Sequence, residues 1–155
     1  MKKLALVLAV VMVLSLGLTA CGAPKTETLD IFAMDTYMSL VAIGDGGAAV
    51  LQSCSNEINA LEQKLSRTID TSDVAQLNAN GTAPLSGDTA ALLRSALQYS
   101  AETDGAFDVT IAPLVELWGI TTDSPRVPAQ EEIDALLPLV GSGHVRLDGT
   151  AAALD

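Results

Sequence analysis

Apolar positions along the chain follow two spacings, and each spacing predicts a different kind of element. Residues 29–43 are apolar at odd and even positions alike, which predicts one long buried strand or two strands joined near Asp35. After a glycine-rich turn, residues 48–66 carry apolar side chains three and four positions apart, which predicts a helix. This apolar stripe comprises Leu51, Cys54, Ile58, Leu61 and Leu65. We expect Cys54 to pack in the core with the other residues of the stripe.

Capping residues predict two further helices in the middle of the chain. The first is short, lies within the polar stretch 67–80 and takes Ser72 as its N-cap. The second starts at Asp88 or Thr89, since either side chain can cap a helix, and ends near Thr103.

Prolines and turn residues place the remaining elements and lead to a fold class. Pro113 lies in the first turn of a short helix, and Pro128 opens another helix that Pro138 ends. Residues 144–154 have the pattern of a hairpin with an Asp-Gly turn. Because strands and helices mix without a strict strand-helix-strand rhythm, we predict an α+β fold rather than a doubly wound sheet.

The first residues have the features of a bacterial export signal. Lys2 and Lys3 precede an uncharged apolar run over residues 4–20, and small residues lead up to Cys21. The sequence Leu-Thr-Ala-Cys at this point resembles the lipobox, whose cysteine becomes the lipid-bearing first residue of the mature protein. The alternatives are a membrane span, for which the run is slightly short, and an ordinary signal peptide followed by a chance cysteine.

These features divide the chain into three parts. Residues 1–20 are predicted to be a lipoprotein signal peptide, and residues 21–28 comprise the lipidated Cys21 and a short tether. Residues 29–155 are the folded part. The predicted location is the extracytoplasmic face of the cell membrane, where the lipid is the membrane anchor.

Charge and composition narrow the range of partners. The formal net charge is -11, and removal of the signal segment leaves six Lys and Arg against nineteen Asp and Glu, a net charge of -13. Such a surface repels phosphate backbones, and an aromatic content of 3% provides little base-stacking surface. We therefore expect no nucleic acid partner and favour a small molecule or a protein.

Common enzyme signatures are absent from the sequence. It contains no Walker loop, no Rossmann glycine fingerprint, no Cys-x-x-Cys pair and no metalloprotease helix. His144 is the only histidine, and its place in a predicted strand is typical of a solvated residue rather than of a catalytic base.

The most informative stretch for chemistry runs from Gly105 to Leu114. Small residues let the backbone approach a ligand closely here, and Asp108 can accept hydrogen bonds from sugar hydroxyls, so the stretch suits a nucleotide. The alternative interpretation is structural. Gly105 would then end the preceding helix, Phe107 would be a core residue and Asp108 would cap the next turn.

A second candidate is the stretch from Met34 to Tyr37. A soft thioether and a phenol there can lie against a flat aromatic ring. The alternative is that both side chains belong to the core of a strand.

Four segments, in the same order, resemble the FAD:protein FMN transferases, also called the ApbE or thiamine-biosynthesis lipoprotein family. The resemblance covers nearly all of the chain after Cys21, and its last segment is the most specific. The segments are the lipobox at 18–21, Phe-Ala-Met-Asp-Thr-Tyr-Met at 32–38, Leu-Ser-Arg at 65–67 with Ser-Asp-Val-Ala-Gln-Leu-Asn at 72–78, and Gly-Ala-Phe-Asp-Val-Thr at 105–110 with Pro-Leu at 113–114 and Trp-Gly at 118–119.

The resemblance implies an extracytoplasmic enzyme that binds FAD and, with Mg²⁺, moves FMN onto a Ser or Thr hydroxyl of a target protein and releases AMP. The implied partner is a flavin-accepting extracytoplasmic or membrane protein. Carried over residue by residue, Met34, Ala106, Phe107 and Asp108 would contact the FAD. Thr68 stands where the family often has an aromatic residue facing the flavin, so flavin stacking from this loop is not expected.

Metal ligands and a catalytic base are assigned to no residue of the chain. The family's Gly-Gly-x-Ala-Lys-Gly and Asn-x-Gly-Gly stretches and its later Asp and Thr metal ligands have no counterpart in the sequence, and we expect them beyond Asp155. The chain is accordingly expected to be the N-terminal portion of an ApbE-like domain and a poor catalyst by itself. The alternative is a surface lipoprotein that binds a ligand or partner without chemistry.

Overall fold

The computed structural model describes residues 23–120 and 122–155, and the predictions for residues 1–20 and Cys21 lie outside these ranges. The described residues form an α+β fold, as predicted. The strands are β1 (Thr26–Ala33), β2 (Thr36–Ile43), β3 (Thr82–Pro84), β4 (Val145–Asp148) and β5 (Ala151–Leu154). The α-helices are α1 (Gly47–Leu65), α2 (Asp73–Asn80), α3 (Gly87–Glu102), α4 (Ala112–Leu117) and α5 (Gln130–Leu136). Short 3₁₀ turns span Leu137–Leu139 and Ser142–His144.

Two compact units make up the fold. One contains the described residues up to 31 together with 39–54, and the other contains residues 32–38 and 55–155. All the candidate site residues that the structure describes lie in the second unit, so its elements alone position them.

The first apolar stretch forms two strands rather than one. Strands β1 and β2 pair in a two-stranded sheet and are separated by Met34 and Asp35, where the sequence placed the joint. The expectation that this stretch is buried was wrong. Burial alternates along both strands, and Phe32 and Ile43 are each 71% exposed. Apolar residues at both odd and even positions therefore do not indicate that both faces of these strands are buried.

Helix α1 confirms the predicted helix and most of its apolar stripe, since Ile58, Leu61 and Leu65 are half-buried. Leu51 and Ser55 are buried, whereas Cys54 is exposed. The prediction of a core position for Cys54 was therefore wrong. Spacing defines an apolar stripe, but the direction from which neighbours approach decides which part of it is covered.

The second unit has its core between a small sheet and two helices. Strand β5 lies in the centre and pairs antiparallel with β3 and β4, which confirms the predicted hairpin of β4 and β5. The core is apolar and formed mainly by small residues. Its buried members are Leu77, Ala83, Leu85, Ala90 and Ala152.

The start of α2 was predicted correctly and the start of α3 was not. Ser72 caps α2 and accepts a hydrogen bond from the Ala75 amide at 3.0 Å. Helix α3 is capped by Ser86 instead of Asp88 or Thr89. The Ser86 oxygen accepts the Thr89 amide proton at 3.4 Å, so Thr89 lies within the first turn, where its buried hydroxyl donates to Asp73 Oδ2 at 2.6 Å.

The starts of the last two helices lie near the predicted prolines, although α5 begins later than predicted. Pro113 lies in the first turn of α4, as predicted. Helix α5 begins at Gln130, two residues after the predicted start at Pro128, because the Glu132 carboxylate accepts the Ala129 amide proton at 2.9 Å and sets the first turn there. Pro138 ends the α-helix but lies within the 3₁₀ turn that continues it.

The described helices show no candidate membrane span. Over residues 23–120 and 122–155, no helix combines the length and the apolar character that crossing a bilayer demands.

Candidate functional site

Met34 lies in a strained two-residue turn between β1 and β2. Met34 and Asp35 have φ values of 53° and 55°, the left-handed region that residues other than glycine seldom adopt. The Met34 amide donates a hydrogen bond to Glu62 Oε1 at 2.8 Å, which ties the turn to α1. The Met34 side chain is 40% exposed, so the alternative of a strand-core residue was wrong. Strain of this kind is concentrated at functional sites in proteins.

A cavity of about 240 Å³ lies beside this turn. Arg67 supplies the positive charge in its wall, with Nη1 at 3.6 Å from a Glu116 carboxylate oxygen and Nη2 donating to the Ile120 carbonyl at 3.4 Å. The cavity is lined by Met34, Asp35, Glu62, Leu65, Ser66, Arg67 and Thr68. The same lining holds the carboxylates of Asp35 and Glu62, so Arg67 is a cationic group between anionic ones.

The loop after α1 is held in shape by its own hydroxyl groups. Ser66 Oγ accepts hydrogen bonds from the amides of Thr68 at 3.1 Å and Ile69 at 3.3 Å, and the Ser72 hydroxyl donates to the Ser66 carbonyl. Thr68 lines the smaller cavity, at the place where the family resemblance led us to look for an aromatic residue. A threonine there can form hydrogen bonds but offers no ring for stacking.

The segment after α3 reverses the chain through two left-handed residues. Asp104 and Gly105 have φ values of 53° and 78°. The next two amides are already used within the protein, since Ala106 N donates to the Thr103 carbonyl at 3.1 Å and Phe107 N donates to Thr103 Oγ1 at 3.1 Å. The C-cap of α3 is Thr103 rather than Gly105, but the Gly105 amide donates to the Ser100 carbonyl at 2.9 Å and so helps to close the end of the helix. A ligand at this bend would therefore not be bound by the Ala106 and Phe107 amides.

Asp108 holds the following turn together. Its Oδ1 accepts hydrogen bonds from the Thr110 amide at 2.7 Å and the Thr110 hydroxyl at 2.5 Å, and its Oδ2 accepts from the Ser142 amide at 3.1 Å. The alternative of Asp108 as a turn cap is thus confirmed. Its predicted contact with FAD stays a prediction.

A larger, mainly apolar cavity of about 690 Å³ lies within the second unit. Phe107 is 46% exposed on its wall, so the alternative of a core phenylalanine was wrong. Tyr99 from α3 and His144 also line this cavity, as does Thr110. An apolar cavity rimmed by a phenol, an imidazole and a hydroxyl has the character of a small-molecule site.

The two candidate segments are brought close together through α1. Met34 lines the smaller cavity and Phe107 lines the larger one, and Leu65 contributes to both. Ala106 and Asp108 lie next to Phe107 in the chain but are not among the residues that line either cavity.

Sequence reasoning missed three residues that shape this region. They are Glu62, Arg67 and Thr110. Arg67 is the last residue of the Leu-Ser-Arg segment that resembles the family, and this position is a signal that could have identified it. Thr110 ends the Gly-Ala-Phe-Asp-Val-Thr segment in the same way. No local pattern indicates the contact of Glu62 with Met34, because those residues are 28 positions apart.

The described residues do not provide a metal site of their own. Across residues 23–120 and 122–155, no group of three or more His, Cys, Asp or Glu side chains is arranged to hold a metal ion. The side chains present therefore do not fit Mg²⁺ by themselves. The expectation that its ligands lie beyond Asp155 stays a prediction.

Solved structures with this fold define the class of protein. The chain superposes on the crystal structure of the ApbE protein from Thermotoga maritima with a TM-score of 0.78 and 28% identity, over 84% of this chain and 45% of that one. It also matches the apo form of the flavinyl transferase ApbE from Pseudomonas stutzeri, with a TM-score of 0.73, 28% identity, and coverage of 88% and 48%. The class is therefore an α+β domain of the kind found in ApbE proteins.

Sequence relatives give the family. The FAD:protein FMN transferase of Salmonella typhimurium is 31% identical over 137 residues, which are 83% of this chain and 39% of that protein. The Vibrio cholerae protein of the same name is 26% identical over 89% of this chain and 44% of its own length. Residues 34–155 match the ApbE family, and the chain belongs to it. It spans less than half the length of these relatives.

Proposed function

We propose that this chain is the N-terminal, FAD-holding part of a flavin transferase that moves FMN from FAD onto a protein. The proposal rests on membership of the ApbE family and on relatives named FAD:protein FMN transferase. The acceptor is a Ser or Thr hydroxyl of an extracytoplasmic or membrane protein, and AMP is the second product.

One observation of the structure carries the assignment of the binding region. The Met34 turn and the Phe107 bend are far apart in sequence, yet they line two cavities that have Leu65 in common. A ligand with an aromatic ring system and a diphosphate needs an apolar surface next to a positive charge. The larger cavity offers the first, and Arg67 in the smaller one offers the second, beside the carboxylates of Asp35 and Glu62.

In the transfer step the acceptor hydroxyl oxygen bonds to the phosphorus of the FMN half. The bond between that phosphorus and the bridging oxygen of the diphosphate breaks, and the bridging oxygen leaves with AMP. The hydroxyl proton passes to a base that we assign to no residue of this chain. The residues described here bind and orient FAD, and their contribution is to hold the diphosphate in a fixed place for attack.

Mg²⁺ dependence is part of the proposal and follows from the family resemblance. Charge grows on phosphate oxygens during transfer, and a chain with an excess of Asp and Glu would repel it without a bound cation. The described residues do not form a ligand set for the ion.

Anchoring at the outer face of the cell membrane through Cys21 completes the proposal. The support is the order of charged residues, apolar run and lipobox at the start of the sequence. Growth of producing cells with labelled palmitate is expected to label the wild-type protein and not a Cys21→Ser variant. Equal label in both would contradict the anchor.

The transferase activity is tested by flavin labelling. The complete gene product is incubated with FAD, Mg²⁺ and a flavin-accepting protein, and the acceptor is examined for flavin fluorescence on a denaturing gel. We expect a fluorescent acceptor band with the wild-type protein. With an Asp108→Ala variant, the band should be weak or absent. An unlabelled acceptor with active controls from a relative would overturn the proposed activity.

A further inference from the structure

We propose that Thr110 is a positioning residue of the FAD site, which locks the bend containing Phe107 against the turn containing His144. This inference rests on the proposed function. It concerns a residue that touches its neighbours in the protein and acts through them.

The Thr110 hydroxyl uses both its donor and its acceptor capacity. It donates to Asp108 Oδ1 at 2.5 Å and accepts the Gly141 amide proton at 2.7 Å. The second contact joins segments that are 31 positions apart in the chain. Asp108 Oδ2 accepts the Ser142 amide at 3.1 Å, so the two loops are connected at two adjacent points.

Gly141, which donates its amide proton to Thr110, has an unusual backbone conformation. Gly141 has a φ of 149° and a ψ of 131°, a conformation that favours glycine, and a Cβ there would lie 3.5 Å from His144 Cδ2. The turn beyond it is closed by the His144 amide, which donates to the Gly141 carbonyl at 3.0 Å. An unusual backbone of this kind persists when surrounding contacts define it, and Thr110 supplies one of them.

Both ends of the connection terminate at the wall of the larger cavity. Phe107 lies three residues before Thr110, His144 lies three residues after Gly141, and both line that cavity together with Thr110 itself. Loss of the hydroxyl would break one of these two connections and leave the Asp108–Ser142 hydrogen bond to hold the loops, which would then move more freely against each other. The shape of the cavity wall, and not only the stability of the fold, is therefore expected to depend on Thr110.

The test measures FAD affinity of the complete gene product by flavin fluorescence titration. Saturable binding is expected for the wild-type protein. We expect Thr110→Val to raise the Kd for FAD at least about tenfold, which corresponds to the loss of one or two hydrogen bonds, and Thr110→Ser to stay within about threefold. If valine impairs folding, Thr110→Ala repeats the test, because alanine also lacks the hydroxyl and does not add the second γ-methyl group of valine.

Thr122→Val is the matched control. The Thr122 hydroxyl also donates once and accepts once, to the Gly119 carbonyl at 2.8 Å and from the Ser124 amide at 3.2 Å. The substitution likewise removes one donated and one accepted hydrogen bond, in a loop outside both cavities. We expect no change in the Kd for FAD, whereas a loss equal to that of Thr110→Val would overturn the inference.

Amide hydrogen exchange without FAD tests the connection separately. In Thr110→Val the Gly141 amide is expected to exchange at least about tenfold faster, while amides in the core helices keep their rates. Faster exchange with unchanged FAD affinity would show that the contact exists and does not position the site. Absence of FAD binding by the wild-type protein would overturn the proposed function and this inference with it.

Discussion

The two segments assigned to FAD keep their shapes in opposite ways. The Met34–Asp35 turn holds two left-handed non-glycine residues and has a hydrogen bond from Met34 to Glu62. The turn at Asp108 is held by one carboxylate, whose oxygens accept hydrogen bonds from the nearby Thr110 and from Ser142, 34 positions away. One segment stores strain and the other is held by a network. Substitutions in the two segments should therefore change stability in opposite directions.

The largest effect is expected from Asp108→Ala. It removes three hydrogen bonds at a half-buried carboxylate, and we expect the free energy of unfolding to fall by about 2–4 kcal/mol. Urea denaturation measures this change. Asp134→Ala is the control, because its exposed carboxylate accepts a hydrogen bond from Gln130, and it should lose less than about 0.5 kcal/mol. Equal losses in the two variants would remove the distinction drawn for the Asp108 turn.

The Met34 turn should respond in the other direction. Met34→Gly relieves a left-handed backbone and is expected to raise the free energy of unfolding by about 1 kcal/mol, while it weakens FAD binding by removing the thioether. Asp35→Gly is the matched variant, since it relieves similar strain and keeps Met34. Thermal unfolding and FAD titration of both variants separate strain from ligand contact. Equal FAD affinity in the two variants would count against Met34 as a contact.

A smaller effect is expected where the strained turn is tied to α1. Glu62→Leu removes the acceptor of the Met34 amide and should lower the free energy of unfolding by about 0.5–1 kcal/mol. Glu62→Gln keeps an acceptor oxygen and should lose less. If the two substitutions cost the same, the charge of Glu62 matters more than its hydrogen bond to the turn.

The smallest effect lies outside both segments and serves as a reference. The hydrogen bonds from Arg126, together with the one from the Ala129 amide, lower the pKa of Glu132 from 4.5 to about 2. A lowered pKa means that this contact stabilises the start of α5 above pH 4.5 and is lost as the pH falls towards 2. An NMR titration should place the Glu132 midpoint well below that of other glutamates, and Arg126→Gln should raise it. An unchanged midpoint in that variant would contradict the assigned cause.

Local patterns predicted most elements of this fold. The helix over residues 48–66, the cap at Ser72 and the hairpin of β4 and β5 were found from spacing and turn residues, because such signals involve neighbours within a few positions. Failures occurred where a distant partner decides. Asp73 of α2 accepts hydrogen bonds from the Ser86 amide and the Thr89 hydroxyl at the start of α3, where Ser86 is the cap.

The same division holds at the candidate site. Sequence motifs identified the family and pointed to Met34 and Phe107, because family resemblance resides in short segments. Motifs did not show that Glu62 accepts the Met34 amide or that Arg67 lines the adjoining cavity. These contacts form only when helix α1 and the turn between β1 and β2 meet in space.

The amino-acid sequence alone thus determined the types and approximate limits of the elements and the family to which they belong. The tertiary structure decided that Cys54 of α1 is exposed, which hydroxyl caps α3, and that Thr110 reaches Gly141 across 31 positions. The reason is physical. Helix and turn preferences depend on residues a few positions apart, whereas burial and hydrogen bonds between loops depend on where the whole chain brings its segments.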